Sequence, residues 1–399
     1  MGNDPREQTK SLQMSKETGD SDAWDDISDA ELLRLESEHL WTEARDRHET
    51  LSVDAHTAEG PAAAKHLEAG RTLAERLDRG PGPSSAQKRK RNLFGCCPME
   101  RYCCRYLKVT DVCGQSWCEL QVLYGFKYPQ VAKREEERTE VKAGASIHLA
   151  RELEVHEVVQ VCVVTREDHQ AIKFLNLLGM ISALQAGCCV RELPVFGVLE
   201  GVFMVGIIDE LRYTDKGELL LNELKTRRHN SLPSKAQIKG HCLQVGLYKL
   251  LFDGMVKGSL TGDQVVQHLG LSLEQALGTG VLEHAMSLGF QVVTFGEVLD
   301  LLLLNLKYCE LPCIDLLRLE YYHQGSGNVI GSQDVPFDED QLRAKLQDYL
   351  SFWLGQREPR GVDIEDAWKC RMCSYVEYCR WRRETLHDNA TIHTDKKLK

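Results

Sequence analysis

A chain of 399 residues, 42% hydrophobic and 27% charged, can bury one sizeable core and carry a tail or small module besides. No run approaches the roughly 18 consecutive apolar residues of a bilayer span, and the opening MGNDPREQTK lacks the apolar stretch of a signal peptide, so a soluble intracellular protein without membrane association is expected. In that reducing setting disulfides are disfavoured, and clusters among the 15 cysteines read as metal sites or coincidence.

The formal charge of −11 sits in front. Residues 1–85 hold 19 Asp and Glu against 10 Lys and Arg, leaving 41 acidic and 39 basic residues for the rest. A nearly neutral body does not exclude nucleic acid, whose binding depends on local charge. Residues 1–92 read as a largely disordered acidic tail, with too few apolar positions for a core and a Gly/Pro/Ser stretch, GPGPSSAQ. Leu32, Leu33, Leu35 and Leu40 form its one amphipathic piece, either a partner-docking helix or a solvated segment. Lys88-Arg89-Lys90-Arg91 is a nuclear-import signal or a linker.

Ordered structure is expected from near Leu107, where VTDVCGQSWCELQVLYGF pairs a Thr/Asp helix start with an apolar stripe. GASIHLARELEV and IKFLNLLGMISALQ predict two more helices. VRELPVFGVLEGVFMVGIIDELRY then reads as two strands broken at Glu200-Gly201, and TDKG as a turn before the strand GELLLNELKTRR. A helix over AQIKGHCLQVGLYKLLFDGMV follows, then an irregular stretch to about residue 287. VTFGEVLDLLLLNLKYCELP is a helix, LLRLEYYHQ a strand and QLRAKLQDYLSFWLGQR a helix, and residues 384–399 are a disordered tail. The sum is an α/β domain over 98–383, a central mixed sheet flanked by helices.

Asp209 ends the strand VFMVGIID, and Glu223-Leu224-Lys225 lies on the strand that pairs with it. Alternation puts Glu223 and Lys225 on one face. Two carboxylates and a lysine at a sheet edge can hold Mg2+ and orient a water for phosphodiester hydrolysis, or can be a salt-bridged hairpin. His148 adds a candidate metal ligand, with Glu152 one helical turn on. Gln244 and Tyr248, at i, i+4 spacing, suit hydrogen bonding to and stacking on nucleic acid. Arg227 adds a cation on the substrate side.

In this order, His148, Asp209, Glu223-Leu224-Lys225 and Gln244-x-x-x-Tyr248, the chain resembles the RecB-type branch of the PD-(D/E)XK nucleases. Its fuller text (SWCELQVLYG, GASIHLAREL, GIIDELRYT, ELKTRR, QVGLYK, GVDIEDAWKCRMCSY) is similar to the exonuclease V (Dem1) family over residues 98–383. The resemblance implies a restriction-endonuclease-like core and a Mg2+-dependent, single-strand-specific DNA exonuclease that releases short oligonucleotides from free ends in DNA repair. It implies Asp209, Glu223 and Lys225 as catalytic residues, His148, Asp209 and Glu223 as Mg2+ ligands, and Gln244 and Tyr248 as the substrate-side pair. One departure is Ile208 where the family pattern has proline before the aspartate.

Cys370-x2-Cys373-x5-Cys379 supplies three thiolates, and the family resemblance implies Cys118 in SWCELQ as the remote fourth ligand; four thiolates suit zinc or [4Fe-4S]. The family resemblance favours a [4Fe-4S] cluster as a C-terminal staple, shielded by Trp368, Tyr375, Tyr378 and Trp381. Such a bridge closes a loop of about 250 residues, roughly 5 kcal/mol of denatured-state entropy, and so reads as structural.

No G-x-x-x-x-G-K-[ST] is present, so no P-loop motor is expected. Two alternatives stay open: a non-catalytic iron–sulfur protein that grips single strands, and a structure-specific endonuclease. Residues 250–310 are candidates for a cover over the metals that would impose end dependence. Expected partners are single-stranded DNA and a single-stranded-DNA-binding protein; the chain is expected to be a monomer, in the nucleus and also the cytosol. Cleavage polarity is not written in the motifs.

Overall fold

The computed structural model describes residues 97–155 and 159–385; the acidic tail, the basic run and most of the C-terminal tail lie outside the described residues. No helix among them is long and apolar enough to cross a membrane.

The sheet is built on one long strand. β3 (Val202–Tyr213) is apolar almost throughout and buried on both faces, as a strand covered on both sides must be. β2 (Val190–Leu199) runs antiparallel to it through a two-residue turn, with Glu200 and Gly201 at φ 48° and 79°, the positive angles a right-twisted hairpin demands. Along its other edge β3 has two partners. β1 (Leu107–Lys108) pairs parallel at Met204 and Val205, and β4 (Leu219–Arg227) pairs antiparallel only at Glu210–Tyr213. Between them, over residues 206–209, the edge forks. β4 continues parallel to β5 (Leu316–His323), and β6 (Val329–Asp334) closes the mixed sheet antiparallel.

Helices flank the sheet. α1 (Pro98–Arg101) precedes β1, and α2 (Val109–Lys127), α3 (Pro129–Glu136) and α4 (Thr139–Glu152) follow it. α5 (Arg166–Gln185) begins at a capping box of Thr165 and Asp168, and its Phe174 stacks between Phe196 of β2 and Phe295. α6 (Lys235–Val256), capped by Ser234 and Gln237, packs on α2 and β2.

The stretch expected to be irregular holds two short helices, α7 (Gly262–Leu269) and α8 (Thr279–Ser287). Each buries only one or two side chains (Val265; Val281 and Ala285), too few to leave a period in the sequence. β6 was equally invisible, because its mostly exposed residues do not alternate. α9 (Phe295–Tyr308) buries Phe295, Val298, Leu299 and Leu302 against α5, and α10 (Glu339–Trp353) packs on α1, α2 and α6. A 3-10 segment (Ile364–Met372) and a helix at 380–385 follow.

Candidate active site and cysteine lobe

The fork in β3 is where the titratable side chains converge. Asp209 has no ladder partner on β4. Its Oδ2 instead accepts the backbone N–H of Leu224 at 2.7 Å, so a side chain takes the place of a strand carbonyl. Its Oδ1 lies 3.6 Å from Nδ1 of His148, which α4 drives inward and buries.

A third group completes the set. Glu192 stands in β2 between Arg191, paired with Glu210, and Leu193, paired with Ile208. It drops out of the ladder at φ 53°, a left-handed backbone that costs a side-chain-bearing residue about 1–3 kcal/mol. Its Oε1 comes to 3.8 Å from His148 Nδ1. One ligand atom each from His148, Glu192 and Asp209 lie within 4.8 Å of one another. An imidazole and two carboxylates in that compass fit a hard to borderline divalent cation. The sequence reading missed Glu192; the available signal was a charge inside the apolar strand VRELPVFG.

Glu223 stands outside this group, contrary to the expected ligand set. Fully buried, its Oε1 accepts from Lys225 Nζ at 2.9 Å and from Gln244 Nε2 at 2.9 Å, which hold it toward α6. It remains one residue from Leu224, whose N–H Asp209 holds, so the ion pair and the three-ligand group share a strand segment.

The expected substrate pair is corrected by burial. Tyr248 is 0% exposed and fills the fork, its Oη accepting from Gln244 Nε2 at 3.0 Å; Gln244 is 3% exposed. Neither is open to stack on a base in this arrangement; Gln244 links Tyr248 to Glu223 instead. Arg227 is also 0% exposed, its Nε donating to the Ser231 carbonyl at 2.7 Å, so it braces the turn after β4.

A cleft of about 220 Å3 opens beside His148 and Glu192, walled by Ala145, Ser146, Leu149, Glu152 and Ile207. None of its lining residues comes from 250–310. That segment packs on α5 and β2, which corrects its expected place as a cover. On the neighbouring face Arg151 and Arg191 both reach Glu210, at 3.0 and 2.9 Å.

The chosen cysteines gather in a separate lobe. α2 breaks at Cys118, whose φ of −162° and ψ of 114° are strand-like inside a helix. Cys118, Cys373 and Cys379 pack with Leu120, Tyr124, Val131 and Tyr375, and the Cys370 thiol lies within electrostatic range. Burial, reinforced by the other thiols, pushes Cys118 up to about 12, and burial pushes Cys373 up to about 11. Ligation here must therefore displace protons. Cys118 comes from the interrupted helix and Cys370, Cys373 and Cys379 from the C-terminal segment; among the described residues His148, Glu192 and Asp209, and not these thiols, bring ligand atoms within 4.8 Å of one another. Tyr375 is buried among the thiols, whereas Tyr378 turns outward onto Tyr128.

A family model described as "Exonuclease V - a 5' deoxyribonuclease" matches residues 97–221, 213–299 and 304–382. The chain belongs to the exonuclease V family. An Exonuclease V of Danio rerio is 48% identical over 389 residues, 94% of this chain and 97% of that protein. An "Exonuclease V, mitochondrial" of Vanderwaltozyma polyspora is 28% identical over 79 residues, 19% of this chain and 14% of its own. The crystal structure of SSO0001 aligns with 69% of this chain and 86% of its own at 16% identity and a TM-score of 0.36. Membership in the exonuclease V family makes the chain a nuclease hydrolase, and the family's description assigns it 5' deoxyribonuclease action.

Proposed function

We propose that this exonuclease V family member is a metal-dependent, single-strand-specific DNA exonuclease acting from free ends in DNA repair, on a restriction-endonuclease-like core. The observation that carries the reading is the convergence of His148, Glu192 and Asp209 at the β3 fork, beside the buried Lys225–Glu223 pair. Those three residues would hold Mg2+, and the imidazole makes Mn2+ an acceptable substitute. A divalent ion there supplies charge stabilisation at the phosphoryl oxygens and a more acidic water.

The chain's own groups do the rest. Glu223, itself held by Gln244, keeps the Lys225 side chain in one position, where its ammonium can offset phosphate charge or orient a water. Asp209 ties the ligand group to the Lys225 strand through the Leu224 N–H. Arg151 and Arg191 place two guanidinium groups next to this centre.

In this reading Cys118, Cys370, Cys373 and Cys379 hold a [4Fe-4S] cluster that staples the C-terminal segment to α2. Linear and circular single strands of one sequence, digested in Mg2+, test the function. Loss of the linear form with intact circles is expected, and equal cutting of both makes the protein an endonuclease. For the cluster, protein purified without oxygen should show a broad absorption near roughly 400 nm that Cys118→Ala abolishes. Colourless protein with stoichiometric zinc contradicts it.

A further inference from the structure

A large cleft lies away from the ligand group, between the C-terminal half of α2, the end of α10 and the cysteine lobe, with a volume of about 870 Å3. Its walls carry five cations, Arg101, Lys127, Arg357, Arg380 and Arg383, against one carboxylate, Glu358. Arg357 is committed, with its two terminal nitrogens on Glu119 at 2.6 and 2.7 Å. The other four form no ion pair among the described residues and are exposed. Their placement is fixed from below: the Arg380 backbone N–H donates to Tyr124 Oη at 3.1 Å, which docks the 380–385 helix on α2.

Aromatic faces alternate with these charges. Tyr128 and Tyr378 stack at 4.4 Å and 29°, Tyr378 is 37% exposed, and Lys127 Nζ lies 5.3 Å from the Tyr128 ring centroid. A cationic groove with a prestacked ring pair open on one side is the chemistry that holds a single strand without reading its sequence. The cations take phosphates, and a base continues the stack. An acidic peptide would use the cations and leave the rings without a role.

We propose that this cleft is a second, non-catalytic binding site for single-stranded nucleic acid, in which Arg380 and Arg383 contact phosphates and Tyr378 stacks on a base. The substrate class rests on the nuclease reading above. The cleft anchors the strand outside the metal centre, so it should raise affinity for long strands and leave very short ones unaffected.

The test is fluorescence anisotropy with labelled oligothymidylates, one long and one only a few nucleotides long, on full-length Asp209→Asn protein in Ca2+. Adding Arg380→Ser with Arg383→Ser should weaken long-strand binding about tenfold and lower the salt slope by about 1.4, two phosphate contacts at about 0.7 each. Short-strand binding should not change. Arg380→Lys with Arg383→Lys should restore most of the affinity, separating charge from folding, and Tyr378→Leu should weaken long-strand binding with the slope retained. Unchanged long-strand affinity and slope in the serine pair would overturn the site. So would poly-glutamate that competes as well as oligothymidylate. Failure of the nuclease reading shows elsewhere: the wild type then leaves linear strands uncut in Mg2+, whatever the serine pair does to binding.

Discussion

Asp209 accepts the Leu224 backbone N–H at 2.7 Å where β3 and β4 stop pairing, so one carboxylate serves both the sheet and the proposed metal. The two jobs separate by substitution. Asp209→Ala leaves a buried N–H without its acceptor and should cost about 1–3 kcal/mol, whereas Asp209→Asn keeps an oxygen there and should cost less. Urea unfolding of the two variants checks this, and equal stability would show that the bond contributes nothing.

Glu192 holds a left-handed backbone that glycine adopts at no steric cost. Glu192→Gly should therefore be at least as stable as wild type, with a gain of up to about 1 kcal/mol after glycine's own entropy cost. The same change removes a carboxylate from the ligand group, so the Mg2+ or Mn2+ concentration for half-maximal cleavage should rise at least about tenfold. A clear destabilisation with unchanged metal dependence contradicts both halves of this account.

At Gly206 an added Cβ would lie 2.4 Å from Cε1 of Tyr248, inside the fork and far below any real contact. Gly206→Ala must push a fully buried ring and should cost about 1–3 kcal/mol. Because Gln244 bridges Tyr248 and Glu223, turnover should fall with little change in KM. Tyr248→Phe keeps the ring and removes only the hydroxyl acceptor, costing about 0.5–1.5 kcal/mol. Should Gly206→Ala cut at the wild-type rate, Gln244 does not position Glu223.

The sequence made much of this site legible, for identifiable reasons. Asp209, Glu223 and Lys225 stand out because the TDKG turn sets the hairpin register and strand alternation sets the faces. Glu192 does not, because its position depends on one residue leaving the ladder, a backbone event without a residue signature. Gln244 and Tyr248 were visible as a spaced pair, but which way they face is set by tertiary packing. With Leu243, Val245, Leu247 and Leu251 all buried around them, α6 has no wet side at that turn. The fork that Tyr248 fills comes from β1 and β4 sharing one edge of β3, a topology no local pattern encodes.

Acid should destabilise the fold partly through His169. Burial, reinforced by Lys173, lowers its pKa to about 4 from the ordinary 6.5. The folded chain refuses a proton that the unfolded chain accepts, so this contribution is complete above 6.5 and is lost as pH falls toward 4. His169→Gln should shrink the drop in Tm between about pH 7 and about pH 4.5. An identical drop in both proteins would place the acid sensitivity elsewhere.

The central claim, that the β3 fork is the catalytic metal centre, is tested most directly by comparing wild type with Asp209→Asn on an end-labelled linear single strand. Cleavage is measured in Mg2+ and binding in Ca2+. The variant loses a metal ligand's charge beside the phosphate path while the sheet bond to Leu224 survives. Cleavage should fall by at least about 1000-fold, roughly 4 kcal/mol of transition-state stabilisation, with affinity for the strand held or improved. Asp209→Asn protein that cuts at the wild-type rate would contradict the account.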